Sequence, residues 1–166
     1  MTDLRRHRIP DNVETSGWTL AVTGTVDTPL ELSQRDFGSF PTETFEGDLV
    51  CDEGWVAEGL TWRGVRVERL FDHAGLPETS QYGLVRSMDG DYACSFPLNR
   101  LAESVLAFEL GGEPLDTEHG GPARLVPTAD DRDCWESVKW VSEIEVLEHV
   151  PTEADTAKEI ALSRIG

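Results

Sequence analysis

The chain has 166 residues, an apolar fraction of 39% and 32 Asp and Glu against 14 Lys and Arg, for a formal net charge of −18. That length suits one domain with a single core. A chain this acidic lacks the basic face that nucleic acid or an anionic membrane demands, and no apolar run approaches the ~20 residues of a membrane span.

Arg5, Arg6 and Arg8 open the chain, but Pro10, Asp11 and Asn12 follow where a signal peptide would place its apolar run. The expectation is a cytoplasmic protein without membrane insertion. The acids are scattered, which suits a solvating shell and a halophilic, salt-rich setting. The alternation of Trp18, Leu20 and Val22 predicts a strand, with a turn at Asp27-Thr28-Pro29 and a second strand at Leu30–Leu32. Ser33 is placed to N-cap a short helix through Asp36 and Phe37. "TETFEGDLVC" alternates again and predicts a strand entering Cys51.

Val65, Val67, Leu70, Phe71 and Ala74 recur at helical spacing, with Gly75 as the stop. "YGLVRSMDGDYACSFPL" predicts a hairpin turning at Asp89-Gly90-Asp91. A short helix and a buried strand are expected in "LNRLAESVLAFEL", a turn at Gly111-Gly112-Glu113-Pro114, and a short strand after "GGPA". "KWVSEIEVLE" sets Val141, Ile144 and Val146 against Ser142, Glu143 and Glu145, as in a half-buried strand. Residues 1–150 are expected to form the domain and 151–166 a C-terminal tail or short helix. Strands and short helices without a βαβ rhythm indicate an α+β fold with mixed sheets.

Cys51, Cys94 and Cys134 are odd in number and lack Cys-x-x-Cys spacing, which argues against a disulfide framework. His7, His73, His119 and His149 show no His-x-x-x-His pair, so a structural zinc site is not expected. No Gly-x-Ser-x-Gly elbow, Walker loop or Gly-x-Gly-x-x-Gly fingerprint occurs. A thiol hydrolase pairing Cys51 with His119 needs only proximity in space, and nothing local supports it. A thiolate at Cys51, between a strand and the Gly54-Trp55 step, is a soft ligand for a redox metal. His119, Arg124, Ser137 and Lys139 form a second group suited to phosphate. The plainer alternative pairs Arg124 and Lys139 with Asp130, Asp131 or Glu136 at the surface.

Five blocks in order carry a resemblance: "VCDEGW…LTWRGV", "VRSMDGDYACSFPL", "GGEPLD", "HGGPARLV" and "SVKW". Together they resemble the molybdopterin-binding domain of the sulfite oxidase family over roughly Trp18 to Leu147. The resemblance implies a sulfite-oxidase-type α+β domain holding a molybdenum-molybdopterin cofactor. It implies Cys51 as the molybdenum ligand and catalytic residue, with two further sulfurs from the pterin dithiolene. His119, Arg124, Ser137 and Lys139 would hold the pterin and its phosphate. "RRH" looks like the family's Arg-Asn-His opening and adds His7, with Arg5, to that set.

Sulfite oxidases proper follow their cysteine with Ala-Gly-Asn-Arg. Asp52-Glu53-Gly54-Trp55 stands here instead and is closer to the bacterial sulfoxide-reductase branch. The resemblance therefore implies two-electron oxygen-atom transfer on a small sulfur-containing or similar substrate, with a redox partner protein exchanging the electrons. The alternative is a cofactor-free, degenerate domain acting as a binding or assembly module. Cys94 and Cys134 are expected to act as small buried hydrophobes.

Overall fold

The computed structural model describes residues 13, 15–50, 56–88, 92–128 and 137–149. His7, Cys51, Cys134 and the 151–166 segment lie outside these residues. Among the described residues, ten strands form two five-stranded sheets. The first sheet runs β2 (Leu30–Ser33), β1 (Thr19–Gly24), β10 (Val141–Leu147), β5 (Tyr82–Ser87), β6 (Ala93–Pro97). Within it β1 and β10 are parallel, and the other neighbours are antiparallel. The second sheet runs β3 (Glu43–Val50), β4 (Val56–Arg66), β7 (Val105–Leu110), β8 (Glu113–Pro114). β9 (Arg124–Val126) also pairs β7, at Val105–Ala107, beyond the stretch that takes β8.

Alternation in sequence becomes alternation in burial. Leu20 and Val22 of β1 are fully buried, as are Val141, Ile144 and Val146 of β10. The three-residue step from Val141 to Ile144 keeps one face because the β10–β5 register shifts between Val141 and Glu143. A bulge of this kind adds a residue without turning the strand's apolar face outward. On the polar face, Arg86 of β5 meets Glu143 at 3.2 Å and Glu145 at 2.8 Å.

Among the described residues, two short α-helices cover the core. In α1 (Val67–Ala74), residues Val67, Leu70, Phe71 and Ala74 are buried at i, i+3, i+4 and i+7 spacing. The helix stops at Gly75, whose N–H bonds the Phe71 carbonyl at 2.8 Å. α2 (Leu98–Glu103) buries Leu101. One buried cluster draws Leu20, Val85 and Ile144 from the first sheet, Val65, Leu106 and Leu125 from the second, and Leu70 and Leu101 from the helices. Each such side chain is worth about 1.5–3 kcal/mol of burial, so this cluster fixes the sheets against each other. Their sequence neighbours Ala107 and Val126 join Leu60, Trp62 and Leu115 in a second cluster. Strand side chains alternate sides, so this smaller cluster lies on the outer face of the second sheet.

Four sequence expectations shift. Val65 belongs to β4, not to the helix: Arg66 is still extended, and α1 begins at Val67. The Ser33 helix is a 3-10 turn, Asp36–Ser39, preceded by Arg35. Ser33 nonetheless bonds it, its Oγ accepting the Asp36 N–H at 3.3 Å while its own N–H donates to Asp36 Oδ2 at 2.8 Å. Glu113–Pro114 is a short edge strand beyond the Gly111-Gly112 turn. Lys139 and Trp140 precede β10, and Trp140 takes a left-handed backbone (φ 53°) that no strand residue adopts.

Candidate functional site

The second group of predicted residues converges on the outer face of the second sheet. Arg124 opens β9 and shares a side of that strand with Val126 and the small outer cluster. It is only 3% exposed, so it is no surface ion-pair residue. Its Nε donates to Ser137 Oγ at 2.8 Å, and its Nη1 donates to the His119 carbonyl at 3.0 Å. Its guanidinium lies 5.5 Å from the centre of the Trp62 ring, a cation–π distance. One arginine thus ties three separate stretches together: the 117–124 turn, the 137–140 turn and strand β4.

Those turns are bound backbone to backbone. Leu125 N–H bonds the Val138 carbonyl at 2.9 Å, Trp140 N–H bonds the Gly120 carbonyl at 2.9 Å, and Val141 N–H bonds the Ala123 carbonyl at 3.1 Å. Trp140 Nε1 adds a bond to the Thr117 carbonyl at 2.7 Å. Gly120 sits between them in a left-handed conformation (φ 98°). A Cβ there would stand 2.7 Å from Lys139 Cγ and 3.1 Å from Arg124 Cδ, so only glycine lets the two cationic side chains pack this closely. Lys139 Nζ lies 5.3 Å from the centre of the Trp140 ring. His119 ends the 3-10 turn Thr117–His119; its side chain is 14% exposed, and Nδ1 lies 3.7 Å from Asp116 Oδ2.

His119, Arg124, Ser137 and Lys139 are therefore neighbours, although up to 20 positions separate them in sequence. His7 and Cys51 lie outside the described residues, so their places relative to this group are not defined. Val50 and Val56 pair with each other across the connection that carries Cys51, and β4 continues from there to Trp62. Sequence reading missed two contributors: Trp62 beneath Arg124 and Trp140 beneath Lys139. Both stood in quoted motifs, but only the fold shows that their rings carry the cations.

The donor set is a guanidinium fork, an ammonium, a hydroxyl and an imidazole, in a chain of net charge −18. Such donors match a phosphate, with the fork supplying geometry and the ammonium a point charge. The residues present thus fit a phosphate-bearing pterin. Among the described residues no group of three His, Cys, Asp or Glu side chains is placed to hold a metal. A cofactor that brings its own sulfur ligands does not need such a group. Among the described residues, too, no helix is long and apolar enough to cross a membrane.

The chain is 35% identical over 139 residues to the uncharacterized oxidoreductase YuiH of Bacillus subtilis, covering 82% of this chain and 69% of that protein. It is 30% identical to rat mitochondrial sulfite oxidase, covering 74% of this chain but only 28% of the relative. In three dimensions it resembles the sulfane dehydrogenase SoxCD of Paracoccus pantotrophus, with a TM-score of 0.76 and 25% identity over 83% of this chain and 40% of that one. The chain thus spans well under half of the length of the sulfite oxidase and SoxCD relatives. The model of the oxidoreductase molybdopterin binding domain matches residues 6–154. With that match over nearly its whole length, and a two-sheet fold shared with SoxCD, the chain belongs to the oxidoreductase molybdopterin binding domain family, whose cofactor is molybdenum-molybdopterin.

Proposed function

We propose that this chain is a molybdenum-cofactor oxidoreductase with Cys51 as its one protein ligand to the metal. His119, Arg124, Ser137 and Lys139, with His7 from the N-terminal segment, hold the pterin and its phosphate. When bound, the cofactor supplies a two-electron couple with oxygen-atom transfer, here on a small sulfur-containing or similar substrate. A redox partner protein closes the electron balance. The observation that carries this reading is the buried Arg124, fixed by Ser137, the His119 carbonyl and the Trp62 ring beside Lys139.

The protein's own part is positional. Arg124 keeps one orientation before any ligand arrives, so little side-chain freedom is lost on binding. Lys139, half-buried over Trp140, adds a charge. Gly120 keeps the two cations adjacent. Cys51 as thiolate would supply charge and sulfur at the metal, where a hydroxyl or methyl could not. Residues 1–150 act as the catalytic domain in this reading.

The test is metal and pterin analysis of native protein from a molybdate-fed host. Near-stoichiometric molybdenum and pterin support the reading. Protein that takes up neither, with cofactor supplied, sinks it in favour of a cofactor-free binding module.

A further inference from the structure

A groove of about 430 Å³ opens between α1 and α2, on elements that take no part in the Arg124 site. Phe71, Leu76, Leu98 and Ala102 form its apolar floor, and the exposed Glu68 and Asp72 form one wall. Among the described residues no Lys or Arg lines it. Its frame is fixed to the first sheet. The Leu98 N–H at the start of α2 donates to the Gln81 carbonyl at 3.0 Å, and the Gln81 N–H donates to the Leu147 carbonyl at 2.9 Å. Leu101 of α2 fills the space that a Cβ on Gly83 of β5 would take. A groove held this way keeps its shape before any partner arrives, so less ordering is lost on binding. It is also remote from the connection that carries Cys51. β4 starts beside that connection at Val56 and runs 11 residues to Arg66, where α1 begins, a span of up to about 33 Å. Phe71 and Leu101 belong to the main cluster, on the side of the second sheet away from Arg124.

We propose that this groove docks an amphipathic helix of a partner protein, one with an apolar stripe and two cations four residues apart. The lining sets both requirements. Four apolar side chains call for an apolar stripe, and an open trough between two helices is the shape a third helix fills. Glu68 and Asp72 stand about one turn apart on α1, roughly 6 Å along its axis. Lys or Arg residues four apart on a helix lying alongside repeat that spacing. Charge also decides among occupants. A second copy brings the same −18 and the same two acids, and an anionic membrane or nucleic acid is repelled. A cationic helix is drawn in by the same field. The partner held here meets the domain at the far end of β4 from the Cys51 connection, so it docks without taking part in chemistry there.

The test is hydrogen exchange on the full chain, with a synthetic helical peptide of about four turns as the probe. The peptide carries a Leu stripe at i, i+3, i+4 and i+7 spacing, with two Lys four residues apart beside it. At saturation it should slow exchange in 67–74 and 98–103 about tenfold and leave 19–24 and 141–147 unchanged. A companion peptide with the same Lys and with Gln for Leu should give no protection. Glu68→Gln with Asp72→Asn should weaken binding of the Leu peptide about tenfold. Glu31→Gln with Glu113→Gln, the same charge change at exposed strand positions elsewhere, should not. Ala102→Trp, which fills the floor, should abolish protection. None of these readouts depends on cofactor content. Absence of protection by the Leu peptide overturns the proposal, and so does unaltered protection in Ala102→Trp. Protection by both peptides, or equal weakening by the two acid pairs, overturns it as well, because the peptide then only coats an acidic surface. Protection in the chain alone that grows with protein concentration, alongside a dimer mass in sedimentation, also overturns it, because a second copy then fills the groove.

Discussion

Replacing Arg124 by Ala separates its structural role from the proposed ligand-holding one. The guanidinium is 3% exposed and donates to Ser137 Oγ and the His119 carbonyl. Removing it withdraws a donor from two acceptors at a buried site, which costs about 1–3 kcal/mol. A domain of this size loses roughly 2–4 °C per kcal/mol, so melting should fall by about 2–12 °C. Each charge-assisted bond lost to a cofactor phosphate is worth about 1.5–3 kcal/mol. Pterin retained through gel filtration should accordingly drop by one to two orders of magnitude, about 1.4–3 kcal/mol. Arg124→Lys keeps the charge but not the fork and should fall between Ala and wild type. Ser137→Ala should cost stability with a smaller loss of pterin. Arg69→Ala, exposed on α1, is the control and should change neither quantity. Wild-type pterin content in Arg124→Ala, with the melting temperature lowered as expected, would refute the anion-site assignment and leave Arg124 purely structural.

Lys139→Ala and His119→Ala should each lower pterin content about tenfold or more; full retention in both would move the phosphate elsewhere. Cys51→Ala should abolish oxidoreductase turnover with an unchanged circular dichroism spectrum, and unchanged turnover would remove Cys51 from the metal. Glu43 sits 2.9 Å from Arg66, whose hydrogen bond holds the carboxyl below its ordinary value. A folded-state value below the unfolded one stabilises above the unfolded pKa, and that stability is lost as pH falls through the folded value. The partly exposed pair is worth about 0.5 kcal/mol after screening, so Glu43→Gln should be less stable than wild type at neutral pH, the two converging in acid. With a net charge of −18, raising potassium chloride from low to molar levels should raise the melting temperature, and a flat or falling series would count against salt adaptation.

Much of the fold was readable where a strand's pattern is local. The alternation of β1 and β10 and the hairpin of β5 and β6 followed from apolar spacing and turn residues alone. The 65–74 stretch misled because the end of β4 continues the helical spacing of α1. Between Arg63 and Gly64 the β4–β7 register shifts, and Gly64 packs against the Leu106 carbonyl so closely that a Cβ could not fit. Val65, on the opposite face of β4 from Trp62, joins the α1 residues in the main buried cluster, so strand and helix read as one amphipathic run. Trp140 misled for a related reason, since its left-handed backbone depends on bonds to Gly120 and Thr117 rather than on its own neighbours. The grouping of His119, Arg124, Ser137 and Lys139 was legible only through the ordered family motifs. Nothing in the local pattern around Arg124 announces burial; that depends on β9 pairing β7 and on Trp62 arriving from β4.

The manner in which Arg124 is held bears on how so acidic a chain could take an anionic ligand. Among its described contacts, a hydroxyl, a backbone carbonyl and an indole ring orient the guanidinium. Lys139 Nζ lies over the Trp140 ring. In a site of lowered dielectric, a donor that is already oriented attracts an anion more strongly than the same side chain in water. At −18 the long-range field opposes any anion's approach, but physiological salt limits that field to ~8 Å. Inside that range the geometry of the two cationic side chains beside Gly120 decides the outcome. An acid in place of Trp62 would set a carboxylate against the guanidinium, so Trp62→Glu should lower pterin content, and unchanged content would remove the Trp62 ring from the anion site.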